Sequence, residues 1–175
     1  MKYPTRLMAL SCAAAISLMS LAARAETRSR ADAIRGDNGA GAARADFGVR
    51  GEYGAAGAQR RFAADGDGNA AGAARSGFTT ESGAHGGRYG QFRRSDDGSL
   101  SANGGAHAEG DNRSADRSGS FTRDADGNAS GERSTTLTNK ETGNSFDAST
   151  TYEKGEGVSR SASCTDSAGN SIDCF

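Results

Sequence analysis

From Phe47 onward the chain alternates small or apolar residues with polar ones, in segments of about ten residues that each end at a turn signal. Leu100, Ala102, Gly104, Ala106 and Ala108 share one parity. Phe146, Ala148, Thr150 and Tyr152 share another, opposed by Asp147, Ser149 and Thr151. Val158, Arg160, Ala162 and Cys164 oppose Ser159, Ser161 and Ser163. A period of two predicts strands with one apolar face. A helix is excluded, because abundant glycine, serine and threonine are poor helix interior.

Turn signals centre on Gly51-Glu52, Asp67-Gly68, Ser82-Gly83, Asp97-Gly98, Gly110-Asp111, Asp126-Gly127, Glu141-Thr142, Gly155 and Gly169. The interval is about fifteen residues, which leaves strands of roughly ten. Asp-Gly and Asn-Gly favour primed turns, whose central residues need positive φ. Residues equidistant from a turn become cross-strand partners. The pairs predicted are Phe62 with Gly72, Phe92 with Leu100, Phe121 with Gly131, Leu137 with Phe146, and Tyr152 with Val158. A ring lying over a cross-strand glycine covers exposed backbone.

A longer rhythm overlies the turns. Phe62-Ala-Ala-Asp65-Gly-Asp67-Gly68-Asn69-Ala70-Ala-Gly72 returns as Phe121-Thr-Arg-Asp124-Ala-Asp126-Gly127-Asn128-Ala129-Ser-Gly131, with a blurred copy from Phe92 to Ala102. The phenylalanines are 30 and then 29 residues apart. The fold class is therefore all-β and repetitive, built from ~30-residue units of about two strands. Both an antiparallel hairpin meander and a β-solenoid satisfy the pattern.

Composition narrows this picture. Lys2 and Arg6 precede an apolar run from Leu7 to Leu21, and Ala23-Arg24-Ala25 is an A-x-A cleavage site. Residues 1–25 read as a signal peptide. Residues 26–57 form a Gly/Ala-rich leader or a frayed first repeat, and 58–175 the β-repeat region. No second long apolar run follows, so no transmembrane segment is expected in the mature chain. The expected location is secreted or periplasmic. All 22 acidic residues lie beyond residue 25, with 18 of the 21 basic ones, for a net charge near −4. The two signs are mixed along the chain, and on that ground no nucleic-acid partner is expected.

Large apolar side chains are scarce. Six aliphatics and ten aromatics follow residue 25, too few for an ordinary core. Proline is absent from that stretch, which favours a β array over disorder. A thin core of Phe62, Phe78, Phe92, Leu100, Phe121, Leu137, Phe146, Tyr152 and Val158 is expected. Cys164 and Cys174 flank Gly169 symmetrically, and two cysteines in an exported chain are expected to form a disulfide that caps the last hairpin.

Candidate chemistry is sparse. Asp65, Asp67 and Asn69, and again Asp124, Asp126 and Asn128, place oxygen ligands at alternate positions, as a calcium loop begins. Completion of an EF-hand fails, because Ala70 or Ala129 stands where glycine is needed, and Ser76 or Thr135 where glutamate is needed. These six residues are metal candidates for weak calcium at most, and no other cofactor is expected. His85 and His107 are the only histidines, and no nucleophile motif accompanies them. No enzyme is expected. The strand-turn-strand units with Gly68-Asn69-Ala70 and Gly127-Asn128-Ala129 at their turns resemble in style the curlin-type repeats of bacterial functional amyloids. They depart from them in length and in having only Gln59 and Gln91 where those repeats carry Gln/Asn ladders.

The sequence thus points to an exported, non-enzymatic structural or surface interaction protein, with unpaired edges that favour self-assembly. The alternative is a secreted module that binds calcium or a glycan at its turns.

Overall fold

The structure, a computed structural model, describes residues 25–36 and 38–174. The signal-peptide segment lies outside the described residues. Eleven strands follow one another: β1 Glu26–Arg35, β2 Gly41–Gly51, β3 Gly54–Ala64, β4 Ala70–Thr80, β5 His85–Arg94, β6 Leu100–Glu109, β7 Arg113–Arg123, β8 Ala129–Asn139, β9 Ser145–Glu153, β10 Gly157–Thr165 and β11 Ser171–Ile172. They form one open sheet in sequence order, every neighbouring pair antiparallel. This is a hairpin meander. The solenoid alternative fails, since its coils would set strands in parallel. Residues 26–57 contribute β1, β2 and the start of β3.

The turns fall where the sequence puts them, but their geometry differs from the expected primed type. Asp124 N–H donates to the Asn128 carbonyl, and Gly127 N–H to the Asp124 carbonyl. Ser95–Ser99 and Asp166–Asn170 repeat both bonds. Each is a type I turn followed by a left-handed glycine: Gly98 at φ 87°, Gly127 at 79° and Gly169 at 84°. The three-residue loop centres the β5–β6 hairpin on Asp97. Phe92 therefore faces Ala102, and Leu100 faces Arg94. The other four expected pairs form: Phe62 with Gly72, Phe121 with Gly131, Leu137 with Phe146, and Tyr152 with Val158.

The expected core does not form. Its nine residues all lie on one face of the sheet, but none of the described residues forms a layer over them. Phe62 is 46% exposed, Phe92 38% and Val158 58%. Cys164, at 8%, is the one buried hydrophobic side chain among the described residues. The reason is architectural: burial on a sheet face needs a second layer, and a meander that continues edgeward never supplies one.

Cohesion comes instead from the ladder and from neighbours on the same face. One row crosses eight strands: Phe62, Gly72, Phe92, Ala102, Phe121, Gly131, Tyr152, Val158. Small residues separate the rings along most of it, and Phe92 leans over Gly72 while Phe121 lies beside Gly131. A Cβ added at Gly72 would sit 2.3 Å from Phe92 Cε1, which shows how closely that ring covers the glycine. Phe62 approaches from the other side, with ring centroids 6.3 Å apart. The opposite face is joined by hydroxyls, Ser118 to Ser134 at 2.8 Å and Ser149 to Ser161 at 2.7 Å. At the last hairpin Cys164 and Cys174 are bonded, with Cα atoms 5.3 Å apart, and hold the two-residue β11 against β10.

A prediction about magnitude follows. Replacing a core phenylalanine by alanine costs about 3–5 kcal/mol. Phe92→Ala should cost only about 1 kcal/mol, the scale of a cross-strand pair. Urea denaturation of the chain from Glu26 measures it, and a loss in the core range would mean that Phe92 is covered by something.

Candidate functional site

The alternation that builds the strands also sorts the charge. Directly paired residues share a face, so the registers divide every strand position between two surfaces. All six strand phenylalanines lie on one face with Val49, Leu100, Leu137, Tyr152 and Val158. Nine arginines accompany them: Arg35, Arg60, Arg88, Arg94, Arg113, Arg117, Arg123, Arg133 and Arg160. That face carries no strand carboxylate. All eight, Glu26, Asp32, Asp46, Glu109, Asp116, Glu132, Asp147 and Glu153, lie on the other face with the remaining seven strand arginines. Mixing along the sequence is thus not mixing in space. Among the described residues, the strand-borne ion pairs are all on the polar face.

On the arginine face the cations are spaced by small or uncharged neighbours. Arg88 and Arg117 flank Ala106, Arg94 and Arg123 flank Leu100, and Arg133 and Arg160 flank Thr150. Two strand spacings separate each pair, about 10 Å. A groove of ≈ 610 Å³ crosses this face, lined by Phe47, Ala58, Phe78, Arg88, Ala106 and Arg117 among others.

The six metal candidates sit in two hairpin loops. Asp65 and Asn69 meet, as each other's partner: Asn69 Nδ2 donates to Asp65 Oδ2 at 2.5 Å, while the amides of Asp67 and Asn69 donate to Oδ1 at 2.8 and 3.1 Å. Asp124 and Asn128 repeat the clamp, with the Asn128 amide at 2.8 Å and Nδ2 at 2.7 Å. A third copy, Asp166 with Asn170, lies in the disulfide hairpin. Sequence reading missed it because the preceding aromatic is absent, although D-x-x-G-N is intact. In each loop the side-chain amide of the asparagine holds the aspartate pKa below the ordinary carboxylate value, with backbone amides adding to it.

Neighbouring tips on one edge also touch. Asp96 N–H donates to Asn69 Oδ1 at 3.0 Å, Arg123 Nη2 to the Gly98 carbonyl at 2.9 Å, and Lys154 Nζ to the Gly127 carbonyl at 2.8 Å. Two strands and the turn between them separate adjacent tips on one edge, which is the physical origin of the ~30-residue spacing.

At the other edge the sheet gathers a cluster that the sequence reading left scattered. His85 on β5 pairs with Glu109 on β6, and His107 lies two residues before Glu109 on the same face. Asp116 on β7 faces His107. His107 Nδ1 is 2.7 Å from Asp116 Oδ1, and His85 Nδ1 is 3.1 Å from the Gly83 carbonyl. Each ring thereby turns Nε2 toward Glu109 Oε2, at 3.4 Å from His107 and 3.9 Å from His85. Lys140 Nζ holds the other oxygen, Oε1, and reaches the Gly110 carbonyl at 3.1 Å. Among the described residues this is the one group of three His, Cys, Asp or Glu side chains whose ligand atoms lie within 4.8 Å of one another. The signal was present: His85 and Glu109 are equidistant from Asp97, the same symmetry that pairs the aromatics.

The Asp116 hydrogen bond raises the His107 pKa above its ordinary 6.5, with Glu109 contributing less, while Lys140 lowers that of Glu109. A raised histidine stabilises the fold fully below the unfolded value, and that contribution is lost as pH rises through the folded one. The aspartate clamps have the opposite sign. They stabilise above the ordinary carboxylate value of 3.8 and are lost as pH falls through their depressed values. A ¹H–¹⁵N titration of the imidazoles should place the His107 midpoint above 6.5, and Asp116→Asn should bring it down. An unchanged midpoint in that variant would remove Asp116 as the cause.

Comparison with protein-family models, with curated proteins and with solved structures finds no match to this chain, so its function is argued from these surfaces alone.

Proposed function

We propose that this is an exported, non-enzymatic surface protein whose arginine-bearing apolar face lies against an anionic lipid surface. The observation that carries the reading is the separation of charge: nine arginines, the strand phenylalanines and no strand carboxylate on one face. Guanidinium groups suit phosphate oxygens, and partly exposed rings suit the headgroup boundary. A purely polar polyanion would leave the rings unused. A second copy laid face to face would oppose arginine with arginine. Insertion across hydrocarbon is disfavoured by arginines in the middle of the face, such as Arg60 and Arg133. Among the described residues no helix is long and apolar enough to cross a membrane.

The non-enzymatic part of the reading is supported by how the histidines are used. Both spend Nδ1 on oxygen acceptors, Gly83 and Asp116, not on a hydroxyl that could serve as nucleophile. The Asp/Asn loops are engaged in holding their own turns, which supports a structural role for them over calcium or glycan capture.

Self-assembly enters through the edges. Among the described residues the outer edge of β1 has no partner strand, and β11 covers only Cys164 and Thr165 of β10. Open edges template further strands, and the alternating charges Glu26, Arg28, Arg30 and Asp32 blunt β1 more than β10 is blunted. Copies held on one surface would add edge to edge.

Cosedimentation with vesicles tests both parts. The chain from Glu26 should bind phosphatidylglycerol vesicles and leave phosphatidylcholine vesicles in the same buffer unbound, with binding weakened by salt. Arg88→Ala with Arg117→Ala should weaken it roughly 10- to 30-fold, at about 1 kcal/mol per surface cation. The isotherm should be steeper than a single-site curve. Equal binding to both vesicles, or none, overturns the surface reading, and a hyperbolic isotherm overturns lateral assembly.

A further inference from the structure

The cluster at His85, His107 and Glu109 is independent of the arginine face, since it lies on the opposite surface. Three acceptor atoms converge there: Nε2 of each imidazole and Oε2 of Glu109. With both rings neutral, the three lone-pair atoms repel one another unless a proton on an imidazole or a cation between them intervenes. Lys140 does not fill that role, because it holds Oε1 on the far side of the carboxylate.

We propose that His85 Nε2, His107 Nε2 and Glu109 Oε2 bind a divalent transition-metal ion of the zinc class. Two imidazoles and one carboxylate are a donor set suited to zinc, and to cobalt as its spectroscopic substitute. A tetrahedral ion with bonds of 2.0–2.2 Å holds its ligands about 3.3–3.6 Å apart. The Glu109 oxygen is already 3.4 and 3.9 Å from the two nitrogens. All three ligand atoms lie within 4.8 Å of one another, on two neighbouring strands.

The surroundings fit the same role. A metal-bound histidine gives its other ring N–H to an oxygen acceptor, which fixes the tautomer and the ring plane. Both rings do this. His107 Nδ1 faces Asp116 at 2.7 Å, forming a carboxylate–histidine pair, and His85 Nδ1 faces the Gly83 carbonyl at 3.1 Å. The antiparallel ladder supplies the rigidity, because β5, β6 and β7 carry all four side chains in fixed register. His85 is 51% exposed and His107 43%, so the fourth position opens to solvent. Water or a donor from a bound partner completes the shell.

The test uses the disulfide-intact chain from Glu26, freed of metal by chelation. Cobalt should bind at one ion per chain and give the visible bands of a tetrahedral site, and zinc should displace it. In NMR, zinc should shift the ring signals of His85 and His107. Asp116→Asn leaves all three ligands in place and should weaken zinc binding ~10- to 100-fold, the usual effect of removing such a supporting carboxylate. His85→Ala with His107→Ala should abolish binding, with the far-UV circular dichroism unchanged because both rings are exposed. Asp67→Ala with Asp126→Ala, in the turns, should leave the zinc affinity unaltered. Absence of cobalt bands, or zinc affinity that survives loss of both histidines, overturns the site.

Discussion

Everything in this molecule depends on the backbone ladder of one uncovered sheet. Ten strands of nine to eleven residues pair along nearly their whole length. Among the described residues no second layer covers either face, so the hydrophobic term that dominates ordinary domains is small here. Side chains contribute through neighbours on the same face: rings over glycines, hydroxyl pairs, and cations laid on the carbonyls of the next hairpin tip. Each such contact is worth little alone. Their repetition across the sheet makes the stability additive along one dimension, as in repeat arrays.

The same uncovered sheet makes the surface chemistry. In a sandwich the phenylalanine face would be the core, and arginine there would be excluded. With nothing to cover it, the face tolerates nine arginines, and pairs such as Arg88 and Arg117, or Arg94 and Arg123, are kept two strand spacings apart, which limits their mutual repulsion in water. The strand carboxylates lie on the other face, where they meet arginines, the two histidines and Lys140. One face thus carries arginines without strand carboxylates, and the other holds the histidine cluster at its rim.

Much of this was legible in the chain. Turn signals mark the bends, and folding about them gives the partners of Phe121, Leu137 and Tyr152; the last hairpin bends at Ala168, not Gly169, so Cys164 faces Ile172 in the ladder while its sulfur is bonded to Cys174. Phe92 was placed against Leu100 because its loop was centred one residue early, on Asp96; the five-residue Ser95–Ser99 geometry moves it to Ala102. The absent core was not legible, since the period of two is the same for a half-buried strand and for one with no covering layer. Nor was the site. Charges counted along the chain look mixed, and only the register shows Arg88 and Asp116 on opposite faces. His85 and His107 looked unrelated at 22 residues apart, yet two hairpin strands bring them to one carboxylate.

The heat-capacity change on unfolding tests the claim of a coreless sheet most directly. It reports apolar surface removed from water, and a globular domain of about 150 residues gives roughly 2 kcal/mol/K. Scanning calorimetry of the chain from Glu26, at concentrations where it sediments as a monomer, should give less than about half that value. A change at the full globular level would contradict the account, because it would require that the phenylalanine face is buried.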